Sequence, residues 1–230
     1  MVPLRAVIFD VDGTLAETEE THRHAFNETF PSFGLDWFWD RDLYGELLQV
    51  AGGKERMRYF ARTLGFSSDA LSDAHLAEIH AAKTARYLAL VAAGQCPFRT
   101  GVRAAIKHAR RRNLRLAIAT TTTRSNVDAL LSANLSPDAA GLFEVIVAGD
   151  EAPRKKPAPD VYLEALTRLR LTSDECLAIE DTSIGLSAAL AAAITTWITP
   201  SLYSHGQTFS GAAKVLADLS DFGLLIDATH

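Results

Sequence analysis

Cysteine is scarce: only Cys96 and Cys176, far apart and without metal-ligand spacing. Neither a disulfide framework nor a thiolate metal site is supported, and reduced thiols are the default. Long apolar runs are also missing, since no stretch approaches the roughly 18 residues of a membrane span. Positive charge is not in excess, because 23 Lys and Arg stand against 28 Asp and Glu, a net charge of −5. That balance favours no nucleic acid and no membrane surface, so an acidic chain that handles anions must gather its cations locally. No basic segment followed by an apolar run precedes the first strand-like stretch, so no signal peptide is expected. The expectation is a soluble, cytoplasmic monomer. An apolar fraction of 48% in 230 residues suffices for one large domain or two unequal ones.

Short, β-branched apolar runs recur at Ala6–Phe9, Leu114–Ala119, Glu144–Ala148, Cys176–Ile179 and Thr195–Ile198. Helical patterns lie between the later ones, at Val102–Arg112, Ser125–Ala133, Asp160–Leu169 and Gly185–Ala193. Such alternation predicts an α/β fold, a doubly wound parallel sheet with helices on both faces. From Glu17 to Ala92 the pattern is helical throughout: Glu19–Phe30, Arg41–Val50, Lys54–Leu64 and Leu71–Val91. The spacing therefore predicts a core of residues 1–16 and 93–230, with a small helical cap domain, 17–92, inserted after the first strand. Within the insertion, Trp37, Phe38 and Trp39 are expected to form a small aromatic core. The basic run Arg99, Arg103, Lys107, Arg110, Arg111, Arg112 and Arg115 reads as a solvated helix face, because Val102, Ala105, Ile106 and Ala109 take the opposite side.

The polar residues that end these strands carry the chemistry. The first strand runs into Asp10-Val11-Asp12-Gly13-Thr14, the second into Thr120, Thr121, Thr122 and Thr123, and the fourth into Glu180-Asp181. After the third comes Lys156-Pro157-Ala158-Pro159-Asp160. Taken singly, each has a plainer reading: Asp-Gly is a common turn pair, and acids suit a helix start. Open parallel sheets, however, bind ligands beyond the C-terminal ends of their strands. A nucleophile, hydroxyl donors, a cation and further acids are what phosphoryl transfer needs around one PO3 unit.

These four elements, in this order, resemble the haloacid dehalogenase-like hydrolases over essentially the whole chain. The resemblance implies Asp10 as the nucleophile that becomes an aspartyl phosphate, and Asp12 as the acid and base for the leaving alkoxide and the incoming water. It implies Mg2+ held by Asp10, the backbone carbonyl of Asp12 and Asp181, with Glu180 close by. Thr120 and the Thr121 amide, with Thr122 beside them, are implied to bind phosphoryl oxygens, and Lys156 to screen Asp10 from the dianion. An acid at Asp12 favours a phosphate ester, since relatives that displace halide need no proton there. One departure stands out: Ala193-Ile194 occupies a place where members of this family often carry Ala-Gly.

The insertion carries a finer resemblance. The stretch from Ala16 to Glu28, Trp37-Phe38-Trp39-Asp40, and Gly52-Gly53-Lys54-Glu55-Arg56 look like the CbbY group of that family. That likeness implies a Mg2+-dependent phosphatase for a small phosphorylated sugar, xylulose 1,5-bisphosphate, in the setting of Calvin-cycle carbon fixation. A second phosphate needs its own cations. Lys54 and Arg56 follow two glycines at a helix start, where backbone amides also favour an anion. Lys54, Arg56 and the Gly53 backbone are expected at the distal phosphate, with Glu17 and His22 near the sugar hydroxyls. A phosphomutase with the same core, or a silent phosphosugar-binding regulator, are the alternatives.

Overall fold

The computed structural model describes residues 2–50, 52–66 and 72–229. Its strands are β1 (Ala6–Phe9), β2 (Arg115–Ala119), β3 (Val145–Val147), β4 (Cys176–Glu180), β5 (Thr195–Ile198) and a two-residue β6 (Lys214–Val215). Its helices are α1 (Thr18–Thr29), α2 (Arg41–Leu47), α3 (Gly53–Thr63), α4 (Asp73–Ala92), α5 (Val102–Arg111), α6 (Arg124–Asn134), α7 (Asp160–Leu169), α8 (Ser183–Ala191) and α9 (Phe222–Thr229). Residues 1–17 and 96–230 make one compact unit; residues 18–95 make the other.

In the first unit all six strands form one sheet, ordered β3-β2-β1-β4-β5-β6, with every neighbouring pair parallel. This is the doubly wound α/β fold expected from the alternating pattern. Each residue of β1 is fully buried, so its run is continuously apolar rather than alternating, as suits a parallel strand covered on both faces. The register fixes where the site is built. Phe9 lies opposite Ile118 of β2 and Ile179 of β4, so Asp10, Ala119 and Glu180 come level at the same rim. Strand order reverses between β1 and β4, which is where such sheets bind ligands. The short β6 and the C-terminal α9 were not foreseen. Phe222 of α9 is buried edge-on to Trp197 of β5, with ring centroids 5.9 Å apart.

The face of α5 behaves as the spacing predicts, with Val102, Ala105, Ile106 and Ala109 buried and Arg103, Lys107, Arg110 and Arg111 exposed. Arg99 does not belong to that solvated face. It precedes the helix, and only 12% of its side chain is exposed.

In the second unit α1 and α4 pack along one another, around Phe26, Phe30, Trp39, Tyr44, Met57, Leu76, Ile79 and Tyr87. The helix expected from Leu71 starts at Asp73 under a Ser72 cap whose hydroxyl accepts from the His75 N–H; Leu71 itself lies outside the described residues. Trp37 and Trp39 are buried, but Phe38 is 70% exposed, which corrects its expected place in the small core. Burial alternates from Trp37 to Trp39, as it does where successive side chains point to opposite sides. Asn27 holds the segment there, accepting from the Trp39 N–H and donating to the Trp39 carbonyl, both at 2.8 Å. Among the described residues no helix is long and apolar enough to cross a membrane.

Candidate active site

Lys156 is the hub of the rim. Its ammonium donates to Asp10 Oδ1 at 2.6 Å, to Glu180 Oε1 at 2.6 Å and to the Ala119 carbonyl at 2.9 Å. The sheet backbone sets these acceptors in place: the Asp10 N–H bonds the Ile179 carbonyl at 3.0 Å, and Ala119 ends β2 beside it. Lys156 itself comes from the loop ahead of α7, and the same helix sends up Tyr162, whose hydroxyl donates to Glu180 Oε1 at 2.6 Å. Burial alone would lower the lysine's affinity for its proton, but Asp10 and Glu180 more than offset this, and the pKa is raised. Lys156 is therefore a fixed cation.

Asp181 stands next to Glu180, and its own carbonyl accepts from Ser204 Oγ at 2.7 Å. Carboxylate oxygens of Asp10, Glu180 and Asp181 lie within 4.8 Å of one another, and all three residues are buried. Burial raises the pKa of both Glu180 and Asp181, and the neighbouring carboxylates push the same way; Lys156 opposes this for Glu180, Ser201 and Arg99 for Asp181. Two glycines make room for these side chains. A Cβ at Gly185 would collide with the Glu180 carboxylate, and one at Gly13, where φ is +77°, with that of Asp181. Three buried carboxylates against the single ammonium that touches two of them form an all-oxygen, net-negative donor set. That chemistry fits a hard divalent cation such as Mg2+.

The other expected residues have contacts of their own. Asp12 sits in a tight turn, in which the Gly13 N–H bonds the Ala16 carbonyl at 2.8 Å and the Leu15 N–H the Val11 carbonyl at 2.9 Å. Its side chain is not one of the three clustered carboxylates. Thr120 is buried just past β2, and its hydroxyl accepts from the Thr122 N–H at 3.3 Å. Thr121 and Thr122 lead into α6, whose N-cap is Thr123. Glu17 is committed within the sheet unit, paired with Arg99 Nε at 3.1 Å and accepting from the Leu202 N–H at 3.3 Å.

In the helical unit, His22 Nδ1 lies 2.9 Å from Lys83 Nζ, with the His22 ring 3.9 Å from that of Tyr87. Burial, then Lys83, Arg56 and His80, lower its pKa well below the usual value. Gly53 and Lys54 open α3, and Lys54 is exposed. Arg56 is different: it is buried, donating to the Leu47 carbonyl at 3.0 Å, the Tyr44 hydroxyl at 3.0 Å and the Val50 carbonyl at 3.4 Å. Its fork staples α2 to α3. Tyr162 and Arg99 were missed. Tyr162 reads simply as a core position of α7, and Arg99 as part of a basic run.

A family model for haloacid dehalogenase-like hydrolases matches residues 4–193. The chain belongs to the haloacid dehalogenase-like hydrolases. The family, together with the CbbY relatives, makes it an enzyme, a phosphatase. It is 54% identical over 217 residues to protein CbbY of Rhodobacter capsulatus, covering 94% of either protein. It also resembles the crystal structure of CbbY from Rhodobacter sphaeroides in complex with phosphate, at 44% identity and TM-score 0.84, covering 96% of each chain. A D10N mutant of that protein, in complex with xylulose 1,5-bisphosphate, matches with the same identity, coverage and TM-score.

Proposed function

We propose that this haloacid dehalogenase-like hydrolase is a Mg2+-dependent phosphatase of a small sugar bisphosphate, with xylulose 1,5-bisphosphate as its substrate. The observation that carries the reading is the Lys156 ammonium held between Asp10 and Glu180, with Asp181 alongside. The substrate assignment is supported by the relative that binds xylulose 1,5-bisphosphate at 44% identity.

The Asp10 carboxylate attacks phosphorus, the ester P–O bond breaks, and Asp12 gives its proton to the departing sugar oxygen. Asp12, now a carboxylate, takes a proton from water as that water attacks the aspartyl phosphate. Inorganic phosphate leaves and Asp10 is restored. Thr120 and the Thr121 amide donate to phosphoryl oxygens, with Thr122 beside them. Lys156 reduces repulsion between Asp10 and the incoming dianion. Asp10, Asp181 and the Asp12 carbonyl would hold Mg2+, with Glu180 close by; when bound, it neutralises charge on the transferring group. Lys54, Arg56 and the Gly53 amide, at the positive end of α3, serve the second phosphate. His22, kept neutral, serves the sugar hydroxyls.

Phosphate release from xylulose 1,5-bisphosphate, measured with and without Mg2+ and against sugar monophosphates, tests the reading. Release should be stoichiometric, Mg2+-dependent and selective for the bisphosphate. Asp10→Asn should lower turnover roughly 10⁴-fold or more while sparing substrate binding. An isomerised sugar phosphate in place of free phosphate would mark a mutase instead.

A further inference from the structure

Arg99 makes more directed contacts than a surface arginine. Nη1 donates to the Gly13 carbonyl, to the Thr199 carbonyl at 2.8 Å and to Thr199 Oγ1 at 3.3 Å. Nη2 donates to the Pro200 carbonyl at 2.6 Å, and Nε pairs with Glu17 at 3.1 Å. Its backbone N–H adds a bond to the Leu15 carbonyl at 2.8 Å. The segments it joins all adjoin the acids. Gly13 separates Asp12 from Thr14, its bare α-carbon rests on Asp181 and Ser201, and the Thr14 hydroxyl reaches Asp181 Oδ1 at 3.5 Å. Pro200 precedes Ser201, whose N–H bonds Ser204 Oγ at 2.7 Å, the same hydroxyl that donates to the Asp181 carbonyl.

We infer that Arg99 is a positioning residue for the reaction: its guanidinium clamps the Asp12–Thr14 turn to the 199–201 loop, and so holds Asp12 and Asp181 in mutual register. Only a rigid fork with five donors can satisfy three carbonyls in two segments while pairing with Glu17. A lysine at this place reaches one or two of them. The inference rests on the phosphatase reading, because it concerns the alignment of that reading's acid–base and metal-holding groups.

The test compares Arg99→Met, Arg99→Lys and, as a control on the exposed face of α5, Arg103→Met. Steady-state kinetics on xylulose 1,5-bisphosphate are paired with calorimetric titration of Mg2+ into each metal-free protein. Arg99→Met should lower kcat about tenfold to 100-fold with KM within about threefold, since small misplacements of reacting groups carry such penalties. Its Mg2+ dissociation constant should rise at least about fivefold, Arg99→Lys should fall nearer to Arg99→Met than to wild type, and Arg103→Met should match wild type. A folded Arg99→Met or Arg99→Lys with lowered thermal stability but wild-type kcat and Mg2+ affinity would overturn the inference. Arg99→Lys supplies that outcome even where Arg99→Met does not fold. Wild-type protein that neither binds Mg2+ nor releases phosphate would instead remove the functional reading beneath it.

Discussion

Ala193 sits in the left-handed region, with φ at +59°, just past the end of α8. The Ile194 N–H bonds the Ala189 carbonyl at 3.0 Å, so Ala193 holds the position where a helix end favours glycine. An alanine there costs roughly 1 kcal/mol in backbone strain, reduced slightly by its lower entropy when unfolded. Ala193→Gly should raise the melting temperature by about 2 °C, measured by calorimetry, with kcat unchanged. Other residues divide by how they declare themselves. Asp10, Glu180 and Asp181 each follow an apolar run, and Lys156 precedes a proline in a short polar loop, so their gathering was readable. Arg56 and Arg99 were not, because nothing in a string of letters distinguishes a solvated guanidinium from one that satisfies buried carbonyls. Both stand within basic stretches whose other members are on the surface.

Among the elements, the strands were legible because parallel strands buried on both faces are continuous apolar runs. β6 escaped because two residues carry no period, and α9 because its apolar content lacks a clear one. Phe38 was misplaced for a related reason: where successive side chains alternate, contiguity does not mean a shared face. On α1, His22 offers a test of how the helical unit is built. Its folded pKa is lowered, chiefly by burial and then by Lys83. The unfolded chain therefore takes up a proton near pH 6.5, before the folded one does. This stabilising contribution is complete above that pH and is lost as the pH falls toward the lowered value. The stability of wild type relative to His22→Gln should accordingly decline between about pH 7 and pH 5, read from denaturant midpoints at several pH values. A difference independent of pH would mean that His22 titrates alike in the folded and unfolded chain.

At the scale of the molecule, a metal bound as proposed at the acidic rim would couple to stability. Glu180 and Asp181 have raised folded pKa values, mainly from burial. In the unfolded chain such acids ionise near pH 4. Without metal, their contribution is greatest in acid and fades as the pH climbs through the raised values. On the proposed reading Mg2+ would replace the protons, so its benefit should grow over the same range. At 100 times its dissociation constant it should add about 3 kcal/mol, or roughly 5–10 °C in melting temperature, near pH 8. The gain should shrink toward pH 5, and Asp181→Asn should abolish most of it. A gain equal at both ends would place the cation elsewhere.

The placement of β1 in the middle of the sheet reaches back into the birth of the chain. Its neighbours begin at Arg115 and Cys176, both beyond the whole helical insertion. A ribosome therefore extrudes Ala6–Phe9 long before either partner exists, and the helical unit is complete while this apolar tetrapeptide still has two bare edges. Such edges invite self-association. Nascent chains halted before Arg115 are thus natural clients for chaperones, and the acidic rim is born only when the last of its acids leaves the exit tunnel.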